Sequence, residues 1–326
     1  MNEDNLERGY FIFSLDTELG TGFFDMDEDR KRLFSADGSR ERKKIQRIIS
    51  LLEEFQIVAT WAVVGHIFYD HCEKCNVCPI LEWKGKYKSF EEAYDTRHPL
   101  WYGADVIDML QNQKMEHEIA FHGYTHEIFD EKQMSKEKAE IEIQEFLRVV
   151  RRRGIEPTSI VFPRDKAGHL DLFKKYGFVC YRGQESLPLI IKNRLFIGKV
   201  IKTIDHIFGI STPPIYDPSE FKKNHLINMI ATQHIFGFNR SVELILDASR
   251  LSNLRIRRMI NAIKKAAQQK KVVHLWAHPW EFRSEQDFSK LRYIFSHVAD
   301  VVSEGKMKSV SMAEMSNIVN QIDEKI

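Results

Sequence analysis

In Glu118-Ile119-Ala120-Phe121, apolar residues follow the glutamate and run directly into His122-Gly123-Tyr124-Thr125-His126. The apolar run predicts a short buried strand, and the two histidines follow where that strand gives way to a turn. Imidazoles four residues apart lie on one face of a helical turn, so His122 and His126 can bind the same metal ion. Because two histidines are too few to hold zinc well, this stretch predicts a third ligand from elsewhere in the chain.

A pair of carboxylates follows the first predicted strand. The apolar run from Tyr10 to Leu15 ends in Asp16-Thr17-Glu18, shortly before Gly20. Alternation along an extended chain puts Asp16 and Glu18 on the same side. Carboxylates at the end of a first strand, with histidines at the end of a later one, are typical of a metal hydrolase built on parallel strands. We therefore expect these acids to lie beside the two histidines.

Helices and strands alternate along most of the chain. The hydrophobic periodicity predicts strands over 10–15, 57–64, 118–121, 158–162, 178–181, 271–276 and 307–310, and helices over 39–55, 104–114, 135–153, 170–176, 253–268 and 289–302 and from 312 onward. A strand, a helix and a second strand in that order predict a right-handed parallel crossover. The stretch 184–239 is interrupted by prolines, and we interpret it as a hairpin and loops over the site.

Composition and charge narrow the class of protein. The chain has 326 residues, enough for one large α/β domain or two ordinary ones. Hydrophobic residues make up 43% and charged residues 29%, which excludes a disordered chain. The net charge of +1 gives no overall electrostatic case for nucleic acid or an anionic membrane. The basic run 151–153 complements the end of a predicted helix before Gly154, so we expect no nucleic-acid partner.

The ends of the chain and its cysteines indicate a compartment. Residues 1–8 are polar and acidic and lack the basic and apolar segments of a secretory signal. No stretch approaches the roughly 20 consecutive apolar residues of a membrane-spanning helix. Four cysteines fit a reducing environment better than a disulfide framework. We therefore expect a cytoplasmic protein without a transmembrane segment.

Three cysteines, Cys72, Cys75 and Cys78, are spaced as CxxCxxC. With His71 or a distant fourth ligand they could bind a structural zinc ion. They could also be three thiols in a loop, since a structural zinc site normally shows two separated cysteine pairs. The sequence leaves both interpretations open, and we interpret the segment as far as Leu100 as an insertion.

Two further strand ends carry polar residues. Pro163-Arg164-Asp165 follows the predicted strand 158–162, and Arg164 there could orient a carboxylate through its planar fork. Ala277-His278-Pro279 follows the predicted strand 271–276, which places a third histidine at the same end of the sheet. We therefore add Arg164, Asp165 and His278 to the candidate site.

In chain order, the four strand ends read SLDTE, HGYTH, FPRD and HLWAHP. This set resembles the motifs of the polysaccharide deacetylase family, also called the NodB-homology or carbohydrate esterase family 4 group, and within it the cytoplasmic-type members. The likeness runs from about Tyr10 to Met312. It implies an α/β fold, a distorted (β/α)7 barrel. It also implies a single catalytic domain over residues 1–326, with insertions at about 70–100 and 184–239.

The resemblance implies a role for each candidate residue: Asp16 as catalytic base, Glu18, His122 and His126 as metal ligands, His278 as general acid, Arg164 as the arginine that holds the base, and Asp165 as a nearby orienting group. The family motif has two adjacent aspartates, whereas one residue separates Asp16 from Glu18 here. The base and the ligand could therefore be exchanged between these two acids. His274, in HLWAHP, is a competing general acid, although its place deeper in the strand favours His278.

The activity that the resemblance implies is hydrolysis of an amide by a metal-dependent enzyme. One divalent ion would serve as cofactor, with Zn²⁺ the first choice and Co²⁺, Ni²⁺, Mn²⁺ or Fe²⁺ as alternatives. The reaction would remove an N-acetyl or N-formyl group from an amino sugar, carried on a nucleotide or a lipid or present in another glycan precursor. The alternatives are a hydrolase of a non-sugar amide and a non-catalytic, carbohydrate-binding member of the same fold.

Overall fold

The computed structural model of the protein describes residues 7–23, 34–35, 37–71, 99–185, 212–221, 226–237 and 240–323. Cys72, Cys75 and Cys78 lie outside them, and so do most of the two expected insertions. The second metal site and the single-domain organisation therefore stay predictions.

A parallel sheet forms the centre of the molecule. Its strands are β1 (Gly9–Thr17), β2 (Thr60–Val63), β3 (Glu118–Phe121), β4 (Ser159–Ile160), β5 (Cys180–Gly183), β6 (Ile227–Ile230), β7 (Gln233–His234), β8 (Val272–Ala277) and β9 (Met307–Val310). The strand order is β6-β5-β4-β3-β2-β1-β8-β7, with β9 also paired to β1, and the paired strands all run parallel. Sequential parallel strands joined through helices agree with the predicted crossovers.

Helices flank this sheet. They are α1 (Ser39–Glu54), α2 (Ala104–Gln111), α3 (Lys136–Arg151), α4 (Leu170–Lys175), α5 (Arg240–Ala248), α6 (Ser252–Gln269), α7 (Glu285–Ser303) and α8 (Met312–Asp323). All but α5 lie close to the helices expected from periodicity. None of the helices in the described part of the chain combines the length and apolar character needed to span a membrane.

One bent segment joins the two edges of the sheet. Its first half, β6, pairs with β5, and its second half, β7, pairs with β8. Between them, the Ala231 N–H donates to the Gly183 carbonyl at 3.0 Å and the Thr232 N–H donates to the His274 carbonyl at 2.8 Å. This segment therefore curls the sheet into a barrel with seven strand positions, and the predicted distorted (β/α)7 barrel is confirmed.

The stretch 184–239 differs from our expectation. Within its described residues, β6 and β7 are parallel barrel strands and not a hairpin, because each pairs with a different neighbour. The strands are four and two residues long. Runs this short carry too few alternating apolar residues to be distinguished from a loop.

Strand β1 has neighbouring strands on both of its sides. It pairs with β8 along one side, while β9 and β2 share its other side, β9 beside Gly9–Ile12 and β2 beside Ser14–Thr17. All nine residues of β1 are buried. Helices cover the outside of the barrel, so side chains from β1 point into packed protein on both faces. Asp16 and Glu18 therefore emerge from the centre of the structure.

Aromatic packing fixes the strand that carries the histidines. The Phe121 ring, at the end of β3, packs edge-to-face against Phe146 of α3 with 4.7 Å between ring centroids. Phe173 and Phe178 pack on the same ring at 5.0 and 5.7 Å. Edge-to-face pairs of this kind each add about 0.5–1.5 kcal/mol beyond the area that they bury. The residue immediately before His122 is thus held firmly.

Candidate metal centre

Three predicted metal ligands lie together at the carboxyl end of the barrel strands. Glu18 Oε1 is 3.2 Å from His122 Nε2 and 3.1 Å from His126 Nε2. All three residues are buried, with 6%, 1% and 2% of their surfaces exposed. One ligand atom from each lies within 4.8 Å of the others. Two imidazole nitrogens and one carboxylate oxygen are the donor set of many catalytic zinc sites.

The tautomer of His122 supports a cation in this cluster. His122 Nδ1 lies 2.8 Å from the Val161 carbonyl oxygen, which can only accept a hydrogen bond. Nδ1 must therefore carry a proton, and Nε2 of the neutral ring is left with a lone pair aimed at the Glu18 carboxylate. Two acceptors facing each other are stable only if a cation lies between them or the ring is protonated. A backbone carbonyl on the far nitrogen is also the usual partner of a metal-bound histidine.

The ionisation of Glu18 fits the same role. Burial opposes its charge, yet the nearby His126 and His278 outweigh that effect and hold the pKa of the Glu18 carboxyl well below its usual range. A carboxylate that stays ionised while buried keeps its oxygens available to a cation. The residues present therefore fit a divalent metal ion.

Asp16 is held by an arginine that we did not select from the sequence. Arg182, on β5, donates from Nη1 to Asp16 Oδ1 at 2.5 Å and from Nη2 to Oδ2 at 2.7 Å. Its Nη2 also donates to Asp165 Oδ1 at 3.1 Å. Burial opposes ionisation of Asp16, but Arg182 outweighs it, so the pKa of Asp16 is lowered. The expected orienting group Asp165 thus contacts the arginine that holds Asp16.

The contact with Asp16 expected of Arg164 is made in the structure by Arg182. Arg164 is exposed, in a short 3-10 turn (Pro163–Asp165) where its φ is +56°. Arg182 is the third of the four residues of β5 and points into the barrel, with 1% of its side chain exposed. The sequence signal for this contact was an arginine near the end of a predicted buried strand. That signal indicates a partner for Asp16 only once β5 is known to lie across the barrel from Asp16.

His278 lies beside the two acids. Its Nε2 is 3.8 Å from Asp16 Oδ2 and 3.7 Å from Glu18 Oε1. Its Nδ1 lies 3.0 Å from Glu281 Oε2. Burial lowers the pKa of His278, but Glu281 and then Glu18 outweigh it and raise the pKa to about 10. The structure therefore places against the carboxylate cluster an imidazole whose pKa its acidic neighbours raise.

Glu281 and His234 extend this contact, and sequence reasoning missed both. Glu281 Oε2 accepts from the His278 backbone N–H at 2.8 Å and lies 2.8 Å from His234 Nε2. The His234 ring stacks on Trp276 with 4.0 Å between centroids, and the Arg182 guanidinium lies 4.1 Å from the Trp276 ring. One packed row of side chains therefore links the group that holds Asp16 to the group that holds His278.

His274, the competing histidine, occupies a different position. It is fully buried within β8, and its Nε2 lies 2.9 Å from Ser14 Oγ. Burial, followed by the charge of Arg182, lowers the pKa of His274 to about 3. His274 is therefore a neutral residue inside the barrel, and His278 is the one that lies beside Asp16 and Glu18.

Comparison with known proteins supports the fold. No protein-family model matches the sequence, and no curated protein matches it significantly. A putative polysaccharide deacetylase from Mycobacterium smegmatis is similar in structure, with a TM-score of 0.56 at 13% identity over 97% of this chain and 92% of that one. The Puue allantoinase has a TM-score of 0.56 at 12% identity over 95% and 89%. The chain therefore has the NodB-type polysaccharide deacetylase fold expected from its motifs.

A carbohydrate-active enzyme of another kind is also similar in structure. It is the GH57-type branching enzyme from the hyperthermophilic archaeon Pyrococcus horikoshii, with a TM-score of 0.50 at 13% identity over 95% of this chain and 70% of that one. Since one barrel type occurs with different chemistries, the fold alone does not assign an activity.

Proposed function

We propose that the protein is a metal-dependent hydrolase that removes an N-acetyl or N-formyl group from an amino sugar carried on a nucleotide or lipid, or present in another glycan precursor. One observation carries the proposal: Glu18, His122 and His126 form a buried donor set, and an arginine-held carboxylate, Asp16, and a histidine, His278, border it. Amide hydrolysis needs these three parts, a base, an acid and an electrophilic centre, within reach of one carbonyl group.

Glu18, His122 and His126 would hold the ion. Zinc suits the nitrogen and oxygen donors best, and Co²⁺, Ni²⁺, Mn²⁺ and Fe²⁺ are the other candidates. An ion bound there would polarise the amide carbonyl and lower the pKa of a water molecule. Placing Glu18 in this set and Asp16 outside it is our choice between the two acids, supported by the contacts of Glu18 with both histidines.

Asp16 would act as the base. Its ionised carboxylate accepts the proton of the attacking water as the new oxygen–carbon bond forms at the carbonyl. Arg182 binds both oxygens of Asp16 and so limits the carboxylate to one orientation. A bidentate partner in a buried site also keeps Asp16 ionised until the proton arrives.

His278 would act as the acid. It gives its Nε2 proton to the nitrogen of the breaking carbon–nitrogen bond, so that the amino sugar leaves as an amine and the acyl group as acetate or formate. Glu281, on Nδ1, stabilises the imidazolium and holds the ring so that Nε2 faces Asp16 and Glu18. His234 in turn limits the position of the Glu281 carboxylate.

The sugar part of the proposal rests on the fold and on an aromatic residue at the site. The ring of Trp280, partly exposed, lies 5.2 Å from that of His278. An indole beside the general acid offers an apolar face against which a sugar ring can pack. The similarity to the Puue allantoinase favours a second candidate function, hydrolysis of a non-sugar amide on the same metal centre.

The experiment is a substrate panel on purified protein of known metal content. N-acetyl and N-formyl sugars, their nucleotide conjugates, and non-sugar amides that include allantoin are incubated with the protein, and released acetate, formate or amine is measured. We expect stoichiometric metal, loss of activity with a chelator, and recovery with Zn²⁺ or Co²⁺. Activity on non-sugar amides alone would select the second candidate. Absence of bound metal, with no turnover of any amide, would refute both.

A further inference from the structure

We infer that Glu142 is a positioning residue for the metal centre: its buried carboxylate fixes the backbone between His122 and His126 and thereby sets how the two imidazoles meet a metal ion. This inference rests on the metal-binding part of the proposed function. It adds a residue of α3 to a site otherwise built at the ends of strands.

Glu142 makes three hydrogen bonds to the loop between the two histidines. Its Oε2 accepts from the backbone N–H groups of Tyr124 at 2.9 Å and Thr125 at 3.0 Å. Its Oε1 accepts from Thr125 Oγ1 at 2.5 Å. Glu142 is 1% exposed, so water does not compete for these contacts. Because β3 ends at Phe121, the Tyr124 and Thr125 N–H groups have left the sheet, and the carboxylate supplies the acceptor that buried donors require.

The carbonyl side of the same loop is held from the opposite direction. The Gly65 N–H donates to the Gly123 carbonyl at 2.9 Å, and the His66 N–H donates to the Tyr124 carbonyl at 3.0 Å. His126 itself has a φ of +64°, a conformation that L residues rarely adopt. Such a backbone persists only where its surroundings hold it. The loop is therefore clamped between Glu142 and the residues that follow β2.

Helix α3 aligns Glu142 with the loop. Phe146, one turn further along α3, packs on Phe121, the last residue of β3. Residues four apart lie on the same helix face, so the ring contact and the carboxylate act on consecutive parts of one chain segment. His122 has a separate anchor, the Val161 carbonyl. The clamp at Glu142 thus acts chiefly on the segment that leads to His126.

The hydrogen bonds accepted by Glu142 determine which variants test its role. Burial raises the pKa of Glu142, and the hydrogen bonds from Thr125 and Tyr124 oppose that effect. The contacts require acceptor oxygens in place but no full charge. Glu142→Gln can accept both N–H groups with its oxygen and donate its amide to the Thr125 hydroxyl, so it should keep the loop in position. Glu142→Met fills the same space and removes every acceptor, and Thr125→Val removes the hydroxyl contact alone.

Glu118 provides a matched control. It lies on the same strand as Phe121 but at the opposite end of the barrel, is partly buried, and accepts from Thr60 Oγ1 at 2.7 Å and from the Ala313 N–H at 3.1 Å. Glu118→Met therefore also removes a carboxylate that anchors backbone and hydroxyl donors. It should lower the melting temperature of the metal-free protein as Glu142→Met does, while leaving the metal ligands undisturbed.

The measurements are the Kd for Zn²⁺, by competition with a chromophoric chelator, and the visible spectrum of the Co²⁺-loaded protein. We expect Glu142→Met to weaken Zn²⁺ binding by about 10- to 100-fold and to alter the Co²⁺ spectrum. Thr125→Val should weaken Zn²⁺ binding less than Glu142→Met does. The Glu142→Gln and Glu118→Met variants should bind Zn²⁺ with the Kd of wild type. If Glu142→Met fails to fold, Thr125→Val carries the test, and an unchanged Kd for it overturns the inference.

Two negative results have different meanings. Wild-type protein that binds neither Zn²⁺ nor Co²⁺ overturns the proposed function, and the inference with it. Wild-type protein that binds metal, together with a Glu142→Met variant of unchanged Kd and spectrum, overturns the inference alone. In that case Glu142 only stabilises the fold, as Glu118 does.

Discussion

Arg182 and Asp16 form a two-point ion pair across the interior of the barrel, with both guanidinium Nη atoms within 2.7 Å of a carboxylate oxygen. The two residues are 166 positions apart in the chain and both are buried. Such a pair is costly to break, because either partner alone would be an uncompensated buried charge. It also explains how an acid can stay ionised in the centre of a packed structure.

Replacing Arg182 should harm stability and activity together. We expect Arg182→Met to lower the free energy of unfolding by about 3–5 kcal/mol, since it leaves the buried Asp16 carboxylate without its bidentate partner. Urea unfolding measures this loss. Arg164→Met is the matched control: Arg164 is exposed, so its replacement should change stability by less than about 0.5 kcal/mol. Equal losses of unfolding free energy for the two variants would contradict a stabilising ion pair between Arg182 and Asp16.

Variants of the two acids should separate the base from the ligand. Asp16→Asn should keep bound metal and lose hydrolysis by about 10²-fold or more, because the base is gone while the donor set is intact. Glu18→Gln should lose the metal, since an amide oxygen is a weaker ligand than a carboxylate. Atomic spectroscopy measures the metal content of each variant, and the rate of acyl release measures its hydrolysis. The reverse pattern would exchange the two roles.

Removing Glu281 should affect catalysis more than substrate binding. Without its carboxylate, the largest contribution that raises the pKa of His278 is lost, so that pKa falls. We expect Glu281→Gln to lower kcat by about 10–100-fold with little change in KM, since the imidazolium acts in the transition state. Steady-state kinetics on the identified substrate measure this split. A change in KM alone would place Glu281 in substrate binding.

Lys44 should give stability a distinctive dependence on pH. Burial lowers the pKa of Lys44 to about 8, although Glu41 opposes it, and its Nζ donates to the Trp280 carbonyl at 2.9 Å. Above that value the unfolded chain, with an ordinary lysine pKa, binds more protons than the folded one, so stability rises with pH from about 8 to 10.5. Below pH 8 both states are protonated and the contribution of Lys44 is flat.

The measurement compares urea unfolding of wild type and Lys44→Met between pH 7 and 10. Wild type should gain about 1–3 kcal/mol over the variant across that range. Lys43→Met, at the neighbouring exposed position, should follow wild type, because the Lys43 side chain lies in solvent in the folded protein. Parallel curves for wild type and Lys44→Met would show that Lys44 is not desolvated in the folded protein.

Several elements were predictable because their signals are local. The run into His122 and the run into Asp16 each place polar groups directly after apolar residues, and both strands form as expected. Helix α3 was expected as well, but the carboxylate on its buried face was not. Ile141 is 41% exposed, whereas Glu142 occupies the buried face. The available sequence signal was the helical spacing of Glu142 from Ala139 and Phe146, which puts the carboxylate on the same helix face as these two apolar residues.

The sequence by itself determined the alternation of strands and helices, the resemblance to polysaccharide deacetylases, and a short set of polar residues at strand ends. These follow from periodicity and spacing over a few residues, which neighbouring side chains control. Their catalytic roles stay predictions.

Tertiary structure alone decided which groups meet. Arg182 rather than Arg164 reaches Asp16, His278 rather than His274 lies beside the acids, and Glu142 holds the loop of His122 and His126. Each of these contacts joins different elements, so its partner depends on how strands and helices pack together. Closure depends on packing and hydrogen bonding summed over the whole sheet, which no short stretch of sequence contains.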